Sequence, residues 1–203
     1  MRLFITPGSP YARIARIMVI EKHLENQVEI VPAQTRTANS PYYQINPSGR
    51  VPFLVRADGV GLEESALICR YLDHLDGAQE FDPPPGELGW EAARLGAHAS
   101  SLMDGIAVWG RELTRPPGER SPTIIRHETE RAGRMIAWWE TAIDHPLMRG
   151  PLSMVQIALG CALGLEARYP DFRWRDGHAR LADWFAAIDT RPSFVATRPP
   201  AGH

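Results

Sequence analysis

The chain has 203 residues, of which 44% are hydrophobic and 23% are charged, and its formal net charge at pH 7 is -2. This composition is typical of a soluble globular protein with length for a sizeable core, in one large or two small domains. The small net charge gives no reason to expect nucleic-acid or membrane binding, no apolar run approaches the roughly eighteen residues of a membrane span, and the N-terminal residues lack a signal-peptide pattern.

The first 24 residues predict a strand, a tight loop and an amphipathic helix. Residues 2–5 are a short strand candidate that Thr-Pro-Gly at residues 6–8 interrupts. Ser9 suits the N-cap of the following helix, and Pro10 occupies a tolerated first-turn position. Two interpretations of Ser9 remain open: a cap only, or a hydroxyl delivered to a helix N-terminus, where free N–H groups favour anions.

The rest of the first half predicts three more strands. Residues 27–31 are placed for a parallel strand–helix–strand unit, and polar residues 32–47 predict a loop with one short helix near residues 41–45. Residues 53–56 and 60–62 predict a hairpin with an Asp-Gly turn. The next helix completes the order β-α-β-α-β-β-α. Its predicted buried residues are Leu67, Ile68, Tyr71, Leu72 and Leu75.

Two positions in this half allow more than one interpretation. Pro52 stands at the head of a strand, where a proline is either an edge residue or part of a cis peptide in a sharp turn. Glu64 and Ser65 are ordinary residues for a first helical turn. They also suit a zwitterion, because Glu64 can pair with an ammonium group while the Ser65 hydroxyl and N–H hold a carboxylate.

Three consecutive prolines near residue 84 predict a semi-rigid spacer. We therefore place an N-terminal domain at residues 1–76, a linker at residues 77–86 and an all-helical domain at residues 87–203. Within the latter, helices are predicted over residues 87–113 and 121–143, from about residue 151, and over residues 178–189. Ser153 and Gln156 are spaced as a capping box.

The cysteines and histidines bear on compartment and metal binding. Cys69 and Cys161 lie in apolar helical patterns, which predicts buried thiols outside any disulfide in a reducing compartment, with the cytoplasm as the default location. The seven histidines are scattered without metal-ligand spacing, so no metal is predicted.

Three motifs follow one another in the first half: Ser-Pro-Tyr-Ala-Arg at residues 9–13, Asn-Pro-x-Gly-Arg-Val-Pro at residues 46–52 and Glu-Ser-Ala-x-Ile at residues 64–68. In this order they resemble the thioredoxin-like N-terminal domain of the cytosolic glutathione S-transferase family, and the helical half resembles the family's C-terminal domain. The likeness is to bacterial, serine-type members with a Ser-Pro-Phe/Tyr-Ala-Arg signature. It implies an α/β thioredoxin-like domain (βαβαββα) followed by an all-α domain, in a cytoplasmic homodimer with a role in detoxification.

The resemblance also implies a role for each matched residue. Ser9 matches the serine that hydrogen-bonds to the sulfur of glutathione. Val51 matches the residue whose backbone pairs with the cysteinyl part of glutathione, and Pro52 matches the cis-proline that exposes that backbone. Glu64 and Ser65 match the pair that binds the γ-glutamyl end.

Other positions agree with the family only in part. Arg50 stands where many relatives have lysine, so the positive charge is kept while its geometry differs. Tyr11, Met103 and Trp109 are candidates for the pocket of the electrophilic second substrate, although core packing also accounts for Trp109. Gln156 stands where the family usually carries aspartate, and we expect this loss of a buried charge to affect stability more than activity.

These roles predict an enzyme with glutathione as cosubstrate. A hydroxyl donor at a helix N-terminus stabilises a thiolate, which then attacks an electrophilic carbon. Residues 9–12 read Ser-Pro-Tyr-Ala where related redox folds carry Cys-Pro-Tyr-Cys, which excludes dithiol–disulfide exchange at this loop. A glutathione-dependent isomerase, peroxidase or dehalogenase on the same fold remains an alternative, as does a non-catalytic module for protein–protein contact.

Overall fold

The computed structural model describes residues 1–81 and 85–200. These residues divide into two compact units, of which the first takes in residues 1–81 with residues 192–199 and the second takes in residues 85–191. Residues 192–199 are thus grouped with the first unit, although they were predicted to lie in the helical domain. Part of the predicted linker, residues 82–84, and the end of the predicted helical domain, residues 201–203, lie outside the described residues.

The first unit contains a four-stranded mixed sheet with the strand order β2-β1-β3-β4. The strands are β1 (Arg2–Ile5), β2 (Glu29–Pro32), β3 (Phe53–Val55) and β4 (Gly61–Glu63). β1 runs parallel to β2 and antiparallel to β3, and β3 runs antiparallel to β4. The predicted parallel strand–helix–strand unit and the predicted hairpin are therefore both confirmed.

Four helical segments belong to this unit. They are α1 (Pro10–Glu21), a 3-10 turn (Pro41–Gln44), α2 (Ser65–Asp73) and, far along the chain, α8 (Pro192–Ala196). The predicted order of elements holds, with the second helix reduced to a single 3-10 turn because residues 40–45 close only short-range hydrogen bonds.

Both faces of the sheet are buried. Because side chains alternate across a strand, Phe4 and its partner Phe53 share one face, where they form an apolar cluster with Tyr42. Leu3 and its partner Leu54 share the opposite face and are fully buried. The central strands are accordingly continuous apolar runs, as a sheet covered on both sides requires.

The predicted buried face of α2 is wrong at two positions. Ile68 and Leu72 are fully buried, but Leu67 is 50% exposed and Leu75 is 37% exposed. Leu67 lies about 100° around the helix from Ile68, outside the narrow stripe that a nine-residue helix buries. Leu75 lies beyond the end of α2.

Two arginines of α1 explain why α8 belongs to the first unit. The buried guanidinium of Arg13 donates to the Phe194 carbonyl at 3.1 Å and to the Thr197 hydroxyl at 3.4 Å. The guanidinium of Arg16 donates to the carbonyls of Ala196 and Thr197. These bonds occupy carbonyl groups at the C-terminal end of α8, which a short helix otherwise leaves to water.

The second unit, within the described residues, is built from helices. They are α3 (Glu87–Leu113), α4 (Pro122–Ala142), α5 (Pro146–Arg149), α6 (Met154–Leu163) and α7 (Ala179–Asp189), with 3-10 turns at Pro117–Glu119 and Gly164–Ala167. α3 packs against α4 and α6. α3 has the predicted bounds, whereas the short helix α5 was not predicted.

The predicted capping box of α6 is wrong. Ser153 occupies the N-cap position, but its hydroxyl caps no N–H group. The Gln156 side-chain nitrogen instead donates to three carbonyls of the preceding loop, those of Leu147, Gly150 and Pro151, at 2.9, 3.3 and 2.7 Å. Gln156 thus anchors that loop, because loop carbonyls buried beside the helix need donors.

Candidate functional site

Ser9 follows the loop that joins β1 to α1. Its backbone N–H donates to the Thr6 carbonyl at 3.1 Å and closes the turn. Its side-chain oxygen accepts a hydrogen bond from the Ala12 N–H at 3.2 Å, so Ser9 is the predicted N-cap. Its hydroxyl proton has no acceptor among residues 1–81 and 85–200. The hydroxyl can therefore cap α1 and, at the same time, donate to a ligand.

The segment before β3 presents the backbone of Val51. The Val51–Pro52 peptide bond is cis, which decides between the two interpretations of Pro52. Within the part of the chain that the structure describes, no hydrogen bond occupies the N–H or the C=O of Val51. A ligand with a peptide backbone can pair with both groups, as an added strand pairs with a sheet edge.

The turn that precedes this segment is held by side-chain hydrogen bonds to backbone groups. The Asn46 side-chain oxygen accepts from the Ser48 N–H at 3.1 Å, and the Ser48 hydroxyl accepts from the Arg50 N–H at 3.1 Å. Gly49 lies at φ 66°, and a Cβ there would come within 2.6 Å of the Tyr43 ring. A glycine is therefore required at the tightest point of the turn.

Glu64 and Ser65 form the start of α2. Glu64 occupies the N-cap position, but its side chain caps no N–H, so the capping interpretation does not account for it. The carboxylate is 69% exposed and lies 3.7 Å from Nη1 of Arg50. The Ser65 hydroxyl makes no hydrogen bond to another described residue. A serine hydroxyl beside uncapped N–H groups can bind a carboxylate.

Strand register brings these three features to one edge of the sheet. Phe53 pairs with Phe4 on one side and with Glu63 on the other. The end of β1 that leads to Ser9, the start of β3 that follows Val51 and the end of β4 that leads into α2 are therefore adjacent. A hydroxyl donor, an unoccupied backbone pair and a helix N-terminus lie at this edge, which we call the polar sheet edge.

The three residues predicted for the second-substrate pocket fall in different units. Tyr11 is the second residue of α1 and is half-buried. Met103 and Trp109 lie on α3 and are 1% and 5% exposed, and the Trp109 ring meets Phe172 edge-on at 6.1 Å between centroids. The two α3 side chains are thus part of the core of the second unit. Their assignment to a pocket stays a prediction.

Sequence reasoning missed Tyr42 and Asn46. Both are buried, and both donate to the carbonyl of Arg50, the residue before Val51. The pattern Asn-Pro-Ser-Gly at residues 46–49 is a signal for a side chain fixed by its own turn, so the role of Asn46 was accessible from the sequence. Nothing in the sequence marks the Tyr42 hydroxyl, because its position depends on how the aromatic ring packs.

Three further findings concern metals, membranes and thiols. Along residues 1–81 and 85–200, no group of three or more His, Cys, Asp and Glu side chains is arranged to hold a metal ion. No helix in these same ranges has both the length and the apolar character needed to cross a membrane. Cys69 and Cys161 are buried thiols outside any disulfide, as predicted.

Comparison with known proteins connects this geometry to a family. A sequence model of the glutathione S-transferase N-terminal domain matches residues 8–75. A crystal structure of a glutathione transferase family member from Pseudomonas fluorescens Pf-5, with bound glutathione, shares 32% identity; the match covers 98% of this chain and 99% of that protein, with a TM-score of 0.90. This chain belongs to the glutathione transferase family.

Other glutathione transferase relatives match along the same length. A glutathione transferase structure from Methylobacillus flagellatus KT with bound glutathione is 29% identical, covers 98% of this chain and 99% of that one, and has a TM-score of 0.88. The GST-like protein YibF of Escherichia coli K12 is 27% identical in an alignment 206 residues long. The alignment covers 98% of this chain and 99% of YibF. The predicted fold class, a thioredoxin-like N-terminal domain followed by a predominantly helical region, is confirmed.

Proposed function

We propose that this glutathione transferase family member is an enzyme that activates the thiol of glutathione for attack on an electrophilic small molecule. The observation that carries the proposal is the polar sheet edge. Glutathione has three parts that need partners: a thiol, a peptide backbone and a zwitterionic γ-glutamyl end. The hydroxyl of Ser9, the backbone of Val51 and the start of α2 offer one suitable partner to each.

Ser9 acts in this proposal as a hydrogen-bond donor, which makes the protein a serine-type member. A free thiol has a pKa of about 8.5, so little of it is ionised at neutral pH. A hydroxyl donor at the positive end of α1 stabilises the thiolate. Lowering the thiol pKa by about one to two units corresponds to about 1.4–2.8 kcal/mol. The sulfur of glutathione is then the nucleophile, and Ser9 is not.

The start of α2 would hold the γ-glutamyl end. The exposed Glu64 carboxylate suits the ammonium group, and the Ser65 hydroxyl with its neighbouring N–H groups suits the carboxylate. Arg50, whose Nη1 lies 3.7 Å from the Glu64 carboxylate, would orient the Glu64 side chain. Pro52 keeps the Val51 backbone at the head of β3, where the cysteinyl part would pair with it.

We further propose a cytoplasmic homodimer with a role in detoxification, in which the half-buried Tyr11 contributes to the electrophile pocket. Exposed apolar side chains support the dimer, since Leu67 and Trp90 are 50% and 74% exposed. Buried thiols outside any disulfide support a reducing compartment. Sedimentation of the purified protein tests the dimer, and a monomer would remove it without affecting the thiol chemistry.

The experiment that tests the main proposal is a titration of glutathione into wild type and Ser9→Ala. Heat of binding reports affinity, and ultraviolet absorbance reports the thiolate as pH is varied. Wild type should bind glutathione and ionise it near neutral pH. Ser9→Ala should bind it but ionise it only near the pKa of the free thiol.

Two other outcomes would count against the proposal. If wild type binds no glutathione, Ser9 is only a helix cap and the chain is better described as an interaction module on the same fold. If Ser9→Ala ionises the bound thiol as wild type does, the hydroxyl is not the activating donor. If wild type binds and ionises glutathione as proposed, a panel of electrophiles that includes isomerase, peroxide and haloalkane substrates identifies the reaction class.

A further inference from the structure

We propose that Tyr42 and Asn46 are positioning residues that hold the Arg50 carbonyl and thereby direct the N–H of Val51 towards the ligand. The inference rests on the proposed function, because it concerns the backbone that would pair with the cysteinyl part of glutathione. Neither side chain needs to touch glutathione. Both act through the peptide unit between Arg50 and Val51.

The Arg50 carbonyl accepts two hydrogen bonds. The Tyr42 hydroxyl donates to it at 2.5 Å, and the Asn46 side-chain nitrogen donates at 3.1 Å. A carbonyl oxygen has two lone pairs, so this acceptor is saturated. The oxygen is therefore held in position from two directions.

The geometry of the peptide bond transmits this restraint to Val51. The peptide unit is planar, and the Arg50–Val51 bond is not among the cis bonds of the described chain. In a planar trans unit the N–H points opposite to the C=O. Fixing the Arg50 oxygen against Tyr42 and Asn46 therefore directs the Val51 N–H away from them, and this is the N–H that no described residue accepts.

The two donors are themselves held in place. The Tyr42 ring is buried against Phe4, with 5.5 Å between ring centroids, and packs in the apolar cluster with Phe53. The Asn46 side-chain oxygen accepts from the Ser48 N–H, which leaves its nitrogen facing the Arg50 carbonyl. Ring packing thus fixes Tyr42, and a second hydrogen bond fixes Asn46, so that each donor faces the Arg50 carbonyl.

The Tyr42 hydroxyl remains a donor over the physiological pH range. Burial, with a smaller contribution from the charge of Glu63, raises the pKa of Tyr42 above its ordinary value of 10.0, although the hydrogen bond with Asn46 lowers it. A neutral tyrosine donates its proton to a carbonyl, whereas a tyrosinate would repel it.

A chain of hydrogen bonds also links the N–H of Arg50 to β4. The Ser48 hydroxyl accepts from the Arg50 N–H and donates to the Glu63 carboxylate at 2.8 Å. Arg50 is thus held at its N–H by Ser48, which is linked to β4, and at its C=O by Asn46 and by Tyr42, whose ring packs against Phe4 of β1. The amide of Val51 is preorganised before any ligand binds, and preorganisation of this kind improves affinity.

The test compares Tyr42→Phe with Tyr43→Phe. Each variant removes one hydroxyl and keeps the ring, and the Tyr43 hydroxyl makes no hydrogen bond to another described residue. We expect Tyr42→Phe to weaken glutathione binding by about threefold to tenfold, the range for one lost hydrogen bond. The pH at which bound glutathione ionises should also rise, because the sulfur is no longer held against Ser9. Tyr43→Phe should match wild type in both.

Asn46→Asp provides a second variant. It keeps the oxygen that accepts from Ser48 but presents an acceptor to the Arg50 carbonyl, so it should weaken binding more than Tyr42→Phe. Chemical denaturation of each variant identifies any that fails to fold, and Tyr42→Phe keeps the packed ring.

The outcomes separate this inference from the proposed function. If wild type binds glutathione and Tyr42→Phe has the affinity and thiol ionisation of Tyr43→Phe, the inference is overturned and the proposed function stands. If Tyr42→Phe lowers only the free energy of unfolding, Tyr42 is a structural residue and the inference is again overturned. If wild type binds no glutathione, the proposed function falls, and the inference with it.

Discussion

Two helices of this protein begin with the same dipeptide, Ser-Pro, in the same local geometry. Ser9 accepts from the Ala12 N–H at 3.2 Å, and Ser121 accepts from the Ile124 N–H at 3.3 Å. Of the two, the start of α1 lies at the polar sheet edge, whereas the start of α4 lies in the helical unit. Local sequence thus builds one arrangement at both helix starts, and strand pairing places the first of them at the proposed ligand site.

The two helices also differ at their other ends. Lys22 is the C-cap of α1, and its side chain is only 2% exposed. Its ammonium lies 3.5 Å from the buried Asp73 carboxylate and 3.0 Å from that of Asp76. Just beyond α4, Asp144 pairs with Arg149, and both side chains are largely exposed. At its C-terminal end, the helix that carries the proposed site is therefore anchored by a buried ammonium group, whereas the ion pair just beyond α4 is exposed.

The largest effect is expected from Lys22→Met, which breaks this anchor. The substitution removes the buried ammonium that pairs with Asp73 and Asp76 and donates to the Ala78 carbonyl, so the free energy of unfolding should fall by about 3–5 kcal/mol. Urea denaturation measures the change. Arg149→Met is the matched control and should change stability little, because exposed pairs are screened by water. Similar losses in the two variants would contradict the distinction between the two helix ends.

The next effect concerns turnover and rests on the proposed function. With glutathione and an activated aryl halide, Ser9→Ala should lose about tenfold to 100-fold in kcat near neutral pH, or about 1.4–2.8 kcal/mol, as expected when the shift in the thiol pKa is lost. Ser121→Ala should retain the kcat of wild type. Steady-state kinetics on both variants test this, and an equal loss in both would mean that the Ser9 variant acts only through the cap.

A smaller effect is expected on stability, and here the two serines should behave alike. Each substitution removes one cap bond, so Ser9→Ala and Ser121→Ala should each lower the free energy of unfolding by about 1 kcal/mol. Chemical denaturation without glutathione gives both values. A much larger loss for Ser9→Ala would show that its role in the free protein is more than capping, and would complicate the kinetic comparison.

The smallest effect is the pH dependence of the ion pair between Lys22, the C-cap of α1, and Asp76. The hydrogen bond from Lys22, followed by that from the Ala78 N–H, holds the pKa of Asp76 below its ordinary value of 3.8. Since the folded-state pKa is the lower one, this stabilisation is present above pH 3.8 and is lost as pH falls through the folded value. Denaturation of wild type and Asp76→Asn should therefore differ near pH 7 and converge in acid. A difference that persists in acid would contradict the assignment.

The stabilisation by the Lys22 ion pairs should also be lost at high pH. Burial lowers the pKa of Lys22, but the hydrogen bond and charge of Asp76, with the charges of Glu80 and Asp73, outweigh burial and raise it above 10.5. The stabilisation is thus complete below pH 10.5 and is lost as pH rises through the folded value. As pH rises above 10.5, the free energy of unfolding should therefore fall more for wild type than for Lys22→Met.

The sequence by itself determined the features whose partners lie within a turn of the chain. The cap at Ser9 and the bounds of α3 at Glu87–Leu113 were predicted correctly, because cap bonds join residues three apart and helical bonds join residues four apart. The motif order also indicated the family. The capping box at Ser153 failed despite its local spacing, because the Gln156 side chain found carbonyls in the loop before the helix.

Tertiary structure alone decided which of these local features lie next to one another. The Phe4–Phe53–Glu63 register makes Ser9, Val51 and the start of α2 neighbours, although more than fifty residues separate the first from the last. The grouping of α8 with the first unit and the exposure of Leu67 were likewise unpredicted. Such pairings depend on which surfaces bury each other, and the free energy of burial and long-range hydrogen bonding is set by the whole fold and not by any short stretch of sequence.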